Sequence, residues 1–207
     1  MIHFSKFAAI TIAASTLAIA ACSQESTPAE TANADTTAMG SAANSTTGNL
    51  AATGAGATQM FQFAGADGAA LGSVTVSEGP TGLTLNVNGT GMPAGVHGIH
   101  LHEKGLCEGP KFESAGSHWN PAGKKHGRDN PEGAHLGDLA NIEVGADGTV
   151  SSTVQIADAM MTSGSNMLAD ADGTALVVHA KADDYKTDPS GDSGDRIACT
   201  VLAAPKS

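Results

Sequence analysis

Ile99-His100-Leu101-His102 alternates an apolar side chain with an imidazole over four residues. Alternation of period two is the mark of a strand, whose successive side chains point to opposite faces. His100 and His102 then share one face, and Ile99 and Leu101 face a core on the other. Further histidines follow at His118, at His126, at His135 (three residues before Asp138) and at His179, so that seven of the eight histidines fall between His97 and His179. Neutral imidazole is the commonest metal ligand near pH 7. His97 lies three residues before His100, off the ligand face. Without it, six imidazoles and Asp138 make seven ligands. That is one short of two four-coordinate sites unless one ligand is shared.

Outward from this strand the same alternation recurs. Met60–Phe63, residues 71–77, 83–88 and 96–103 read as strands separated by Gly, Pro and Asp turns, and strands resume at 140–144, 149–156, 175–179 and 197–202. Two stretches break the pattern, 104–138 and 185–195, rich in Gly, Pro, Lys, Asp and His. Long irregular stretches inside a compact domain are usually functional. Aromatic residues are 3% and glycines number 26 of 207, which suits a Gly-rich β fold and not a helical bundle. The expectation is an all-β domain over 58–207, an eight-stranded antiparallel Greek-key sandwich or flattened barrel with two long functional loops.

The N-terminus reads as an export signal. Lys6 precedes an uncharged run from Phe7 to Ala20, too short to span a bilayer comfortably. The run ends Leu17-Ala18-Ile19-Ala20-Ala21-Cys22, which resembles a bacterial lipobox with Ile19 as a mild departure. The expectation is a lipoprotein-type signal over 1–21, with Cys22 as the lipidated first residue. A plainly cleaved signal is the alternative. Residues 22–57 are Ala, Thr, Ser, Gly and Asn with almost no large apolar side chain, so they cannot offset the cost of ordering and read as a flexible tether. Either signal exports the chain to an oxidising compartment, where Cys107 and Cys199 most simply pair with each other. Two buried free thiols are the alternative.

The formal net charge is −11. Setting aside Lys6, Glu25, Glu30 and Asp35 leaves 18 acids and nine bases, a net of −9. A surface this acidic argues against nucleic acid and anionic lipid as partners. Any membrane association would come through the lipid anchor alone. An anionic substrate would need a local cation to draw it in.

The motifs together resemble the copper/zinc superoxide dismutases, in their exported bacterial form. Gly95-Val96-His97-Gly98-Ile99-His100-Leu101-His102-Glu103, Gly116-Ser117-His118-Trp119-Asn120-Pro121 with His126, His135-Leu136-Gly137-Asp138-Leu139, Val178-His179-Ala180-Lys181-Ala182-Asp183-Asp184 and Gly194-Asp195-Arg196-Ile197-Ala198-Cys199 carry the likeness. It spans residues 58–204. It implies one copper per chain, held by His100, His102, His118 and His179, and one zinc, held by His118, His126, His135 and Asp138. His118 would be shared as an imidazolate, which removes the shortfall in the ligand count. The resemblance makes Asp183 the carboxylate that links a copper-side histidine to a zinc-side one, Cys107–Cys199 the intrasubunit disulfide, and Arg196 the anion-guiding residue beside copper. It implies dismutation of superoxide to oxygen and hydrogen peroxide in the periplasm or cell envelope, with the His118 ring as proton carrier and the chain a monomer or homodimer.

Other residues take plainer readings. Met160, Met161 and Met167 are packing residues before they are copper ligands. Lys124, Lys125 and Arg128 read as a solvated loop face, with a part in substrate steering as the alternative. Glu103 faces solvent, and Trp119 stands where the family often has Phe. Asp195 could weaken the pull of Arg196. The alternative function is a copper-binding or buffering module on the same fold without turnover; such relatives tend to lose a copper ligand or the arginine, and this sequence retains both.

Overall fold

In the computed structural model, which describes residues 58–207, the chain is all β. The strands are β1 (Thr58–Gly65), β2 (Ala70–Gly79), β3 (Gly82–Gly89), β4 (Gly95–His97), β5 (Ile99–His102), β6 (Ile142–Val144), β7 (Val150–Ala157), β8 (Thr174–His179) and β9 (Arg196–Ala203). One 3₁₀ turn, Glu113–Ala115, lies in the first long loop. The signal, Cys22 and the tether lie outside the described residues.

Seven strands form one curled antiparallel sheet in the order β5-β8-β9-β1-β2-β3-β7, and β4 pairs with β6 as a separate ribbon. The meander β1-β2-β3 is hydrogen-bonded along almost its full length. Its inward positions, Val74, Val76, Leu83, Leu85 and Val87, are fully buried while their neighbours are not. Burying each such side chain contributes about 1.5–3 kcal/mol.

The stretch expected as a single strand over 96–103 is two strands, which makes nine in place of eight. The chain changes partner at Gly98. His97 pairs with Ile142 in the ribbon, whereas Ile99 pairs with Val178 in the large sheet. Gly98 N–H donates to the Lys181 carbonyl and Gly98 C=O accepts from His179 N–H, each at 2.8 Å. A Cβ on Gly98 would stand 3.1 Å from Ser193 Cβ and 3.2 Å from His100 Cε1, so a side chain here would crowd the turnover point.

Strands β5 and β8 are buried on both faces. Ile99, Leu101, Leu176 and Val178 belong to the main core. The opposite face carries a smaller cluster of Ala175, Val177, Cys199, Phe112 and Ala115. His100 lies opposite Val177 and His102 opposite Ala175, which places both imidazoles on the face covered by the loops. Residues 103–141 and 180–195 are the covering loops. A third connection, 158–173, closes the far side with Met161 and Leu168 in the main core, so the Met segment is packing. Cys107 and Cys199 are bonded, with Cα atoms 5.7 Å apart and a sequence separation of 92. Closing a loop of that length contributes about 4–5 kcal/mol in the chain-entropy description. The bond ties the first long loop to β9.

Candidate metal centre

Strand β5 supplies His100 and His102, the end of β8 supplies His179, and the loops supply His118, His126, His135, Asp138 and Asp183. Two overlapping groups result. One is His100, His102, His118 and His179, the other His118, His126, His135 and Asp138. Within each, the donor atoms lie within 4.8 Å of one another.

Ring orientation follows from what each second nitrogen meets. His102 Nδ1 lies 3.0 Å from the Gly116 carbonyl and His179 Nδ1 lies 3.2 Å from the Gly194 carbonyl. Carbonyls only accept, so both Nδ1 atoms carry the hydrogen. That leaves the two Nε2 lone pairs facing one another at 3.4 Å. His100 Nε2 donates to Asp183 Oδ2 at 2.9 Å, which leaves its Nδ1 as the lone-pair atom. His100 Nδ1 and His118 Nε2 are buried and have no partner. A buried polar atom without a partner costs about 1–3 kcal/mol. Two such atoms beside two facing lone pairs fit a cation with four nitrogen donors, and imidazole suits copper.

On the other side, His118, His126 and His135 converge on Asp138. Their Nδ1 atoms stand 2.9, 3.0 and 3.1 Å from one oxygen, Oδ1. The second oxygen, Oδ2, accepts the backbone N–H groups of Gly127 and His135 and so fixes the carboxylate. Three imidazole nitrogens and one carboxylate match the donor set of a tetrahedral zinc site. His118 belongs to both groups, Nε2 toward the first and Nδ1 toward the second.

Charge follows the same division. Burial holds His118 down at about 4 and His179 at about 3, and it lowers His100 and His102 as well. For His126 burial also opposes charge, but hydrogen bonds to Asp138 and Asp183 outweigh it and raise the ring to about 9. Against the cost of burial, hydrogen bonds from His118 and His126 hold the Asp138 carboxyl far below its usual range.

Asp183 spans the two groups. Oδ2 accepts from His100, while Oδ1 accepts from His126 Nε2 at 3.0 Å and from Tyr185 N–H at 2.7 Å. His100, His126 and Asp183 are close enough to form a third ligand group. The rings there present N–H groups to the carboxylate, so Asp183 orients them and leaves their other nitrogens for metal. Gly191 makes this approach possible: a Cβ there would fall 1.8 Å from Asp183 Oδ1, and its φ of +66° is the left-handed region that suits glycine.

Arg196 begins β9 beside this cluster. Its Nη1 donates to the Phe112 carbonyl and its Nη2 to the Gly116 carbonyl, both at 2.6 Å. Burial lowers its pKa and the charge of Glu113 opposes that shift. Among the described residues Asp195 forms no ion pair with it, so the weakening that the sequence suggested has no contact behind it. His97 is buried, with Nδ1 2.7 Å from the His179 carbonyl and Nε2 2.8 Å from the Pro93 carbonyl, a structural role. Lys125 pairs with Asp188 at 3.3 Å, both exposed. With Lys124 it lines a cavity next to His118 and His135.

Sequence reasoning missed the carbonyls of Phe112 and Gly116, which place Arg196. It also missed Asn141 and Tyr185, which grip Asp183. No spacing in the sequence marks either pair.

Residues 70–202 match the family model for copper/zinc superoxide dismutase (SODC). The superoxide dismutase-like protein YojM of Bacillus subtilis is 43% identical over 144 residues, covering 68% of this chain and 74% of that one. Superoxide dismutase [Cu-Zn] 2 of Aquifex aeolicus is 42% identical over 140 residues, covering 66% and 81%. A crystal structure of a SOD-like protein from Bacillus subtilis superposes with a TM-score of 0.68 at 40% identity, covering 70% of this chain and 99% of that one. The chain belongs to the copper/zinc superoxide dismutase family. Its activity is superoxide dismutation, and its metals are copper and zinc.

Proposed function

We propose that this chain dismutates superoxide at a histidine-bridged copper–zinc centre in the cell envelope. His100, His102, His118 and His179 hold copper; His118, His126, His135 and Asp138 hold zinc. The observation that carries this reading is His118, whose Nε2 is buried and unpartnered toward three other imidazoles while its Nδ1 faces Asp138. A ring used on both sides is deprotonated on both nitrogens, and two cations are what such an imidazolate needs.

When bound, copper would supply one-electron exchange with superoxide, and zinc would supply positive charge beside the shared His118 ring. The remaining work belongs to the protein. Arg196 provides the local cation that an anion requires in a chain of net charge −11. Two of its five N–H groups are spent on the Phe112 and Gly116 carbonyls, which leaves others for the anion. A proton at His118 Nε2 has no acceptor among the described residues, so the ring can hand it only to what occupies the centre. Asp183 keeps the His100 and His126 rings in register with each other.

The envelope location rests on the N-terminal signal, with Cys22 as lipid anchor and residues 22–57 as tether before the domain at 58–207. The disulfide is consistent with an oxidising compartment. Copper and zinc analysis with a dismutation assay tests the proposal. One of each metal per chain with activity is expected, while zinc alone, inactive after copper loading, overturns it.

A further inference from the structure

We propose that Tyr185 is a positioning residue for the zinc side of the centre, and that Arg128 holds it there; this rests on the ligand assignment above. Tyr185 has a left-handed backbone, φ 62°, which bulky residues rarely adopt and which its surroundings must therefore enforce. Those surroundings are three segments that carry the centre. Tyr185 N–H donates to Asp183 Oδ1 at 2.7 Å. Its carbonyl accepts from Asp129 N–H at 3.0 Å, in the loop just after His126. Its hydroxyl accepts from Asn141 N–H at 2.8 Å, three residues beyond Asp138.

Asn141 completes the grip. Its Nδ2 donates to the Asp183 carbonyl at 3.0 Å and its Oδ1 accepts from Asp183 N–H at 2.9 Å. The carboxylate that orients His100 and His126 is thus fixed through both its backbone and one oxygen, and Tyr185 and Asn141 bind each other. From outside, the Arg128 guanidinium carbon lies 3.7 Å from the centroid of the Tyr185 ring. A cation over an aromatic face is attracted to it and covers it. Gly127 allows the two loops to meet: its φ is +97°, and a Cβ there would lie 2.1 Å from the Tyr185 carbonyl oxygen. Gly127 N–H in turn holds Asp138 Oδ2. One tyrosine thereby joins the segments bearing His126, Asp138 and Asp183, and Arg128 belongs to this clamp and not to a free loop face.

The test is zinc release from the copper- and zinc-loaded protein to a chromophoric chelator, for wild type, Tyr185→Phe, Arg128→Gln and Arg128→Lys. The unfolding midpoint of each metal-free chain is measured alongside. Tyr185→Phe removes only the hydroxyl and should speed release by on the order of tenfold, the scale that outer partners of metal ligands carry. Arg128→Gln, an exposed change that leaves the core intact, should move the same way, and Arg128→Lys should restore slow release. Wild-type release from both Tyr185→Phe and Arg128→Gln overturns the proposal. So does faster release that merely follows a lowered metal-free midpoint. His126→Ala is the control for the ligand assignment: if it retains zinc like the wild type, the assignment has failed; if it loses zinc while Tyr185→Phe does not, only the clamp has.

Discussion

His102 and Arg196 meet on one atom. The Gly116 carbonyl oxygen accepts His102 Nδ1–H at 3.0 Å and Arg196 Nη2–H at 2.6 Å. An imidazole of the proposed copper group and the cation proposed to guide the substrate therefore take their positions from the same peptide group. That group belongs to the loop that the Cys107–Cys199 bond ties to β9, and Arg196 opens β9. Ring orientation, guanidinium placement and disulfide form one mechanical unit.

Arg196 should dominate the capture of superoxide. Arg196→Glu should lower the dismutation rate by tenfold or more, the scale of electrostatic steering, with both metals still bound. The salt dependence of the rate should weaken or reverse in the variant. Rates measured across ionic strength on metal-loaded protein check this, and an unchanged rate refutes the guiding role.

Asp183→Asn should loosen the copper side first, because Oδ2 is the acceptor of His100. The amide can still accept on Oδ1, but its nitrogen cannot accept from a ring N–H. Copper affinity should fall about 10–100-fold, as for other partners of metal-bound histidines. Competition against a chelator of known affinity measures the change.

Cutting the disulfide should cost stability and geometry together. A Cys107→Ser, Cys199→Ser pair should lose about 2–5 kcal/mol in denaturant unfolding. Because Phe112 and Gly116 lie on the released loop, the dismutation rate of the still-folded protein should fall as well. Lost stability with a full rate would separate the disulfide from Arg196.

The metal-free chain should weaken in acid. His118 and His179 stay neutral when folded down to about 4 and about 3, whereas unfolded histidines take up protons below about 6.5. The unfolded state then binds more protons, and stability falls as pH drops from about 6.5 toward 4. His126, raised to about 9, works in the opposite sense; its contribution is present below 6.5 and lost as pH rises through 9. Unfolding midpoints of the metal-free chain across pH 4–9 should peak between these limits. A midpoint that climbs steadily into acid would contradict the buried, neutral rings.

The β strands were legible because alternation survives in β2, β3 and β7, whose one-sided burial writes period two into the sequence. The ligands were legible for another reason: imidazoles and carboxylates name their own chemistry, and the family likeness ordered them. The break at Gly98 was not, since a change of partner strand leaves the local alternation of 96–103 intact. Nor were the supports. The Phe112 and Gly116 carbonyls are backbone atoms, which carry no residue type. Asn141 and Asp183 are 42 positions apart and meet only because two loops cross. The same holds for Arg128, whose charge read as a solvated face until the Tyr185 ring was found beneath it.

In the proposed centre one imidazole, His118, serves two metals. Crystals of the copper- and zinc-loaded protein, with anomalous scattering recorded at both metal absorption edges, test it directly. Copper is expected against His118 Nε2, among His100, His102 and His179, and zinc against His118 Nδ1, among His126, His135 and Asp138. Two metals with His118 bound to only one of them, or a single metal in the whole cluster at full loading, would contradict it.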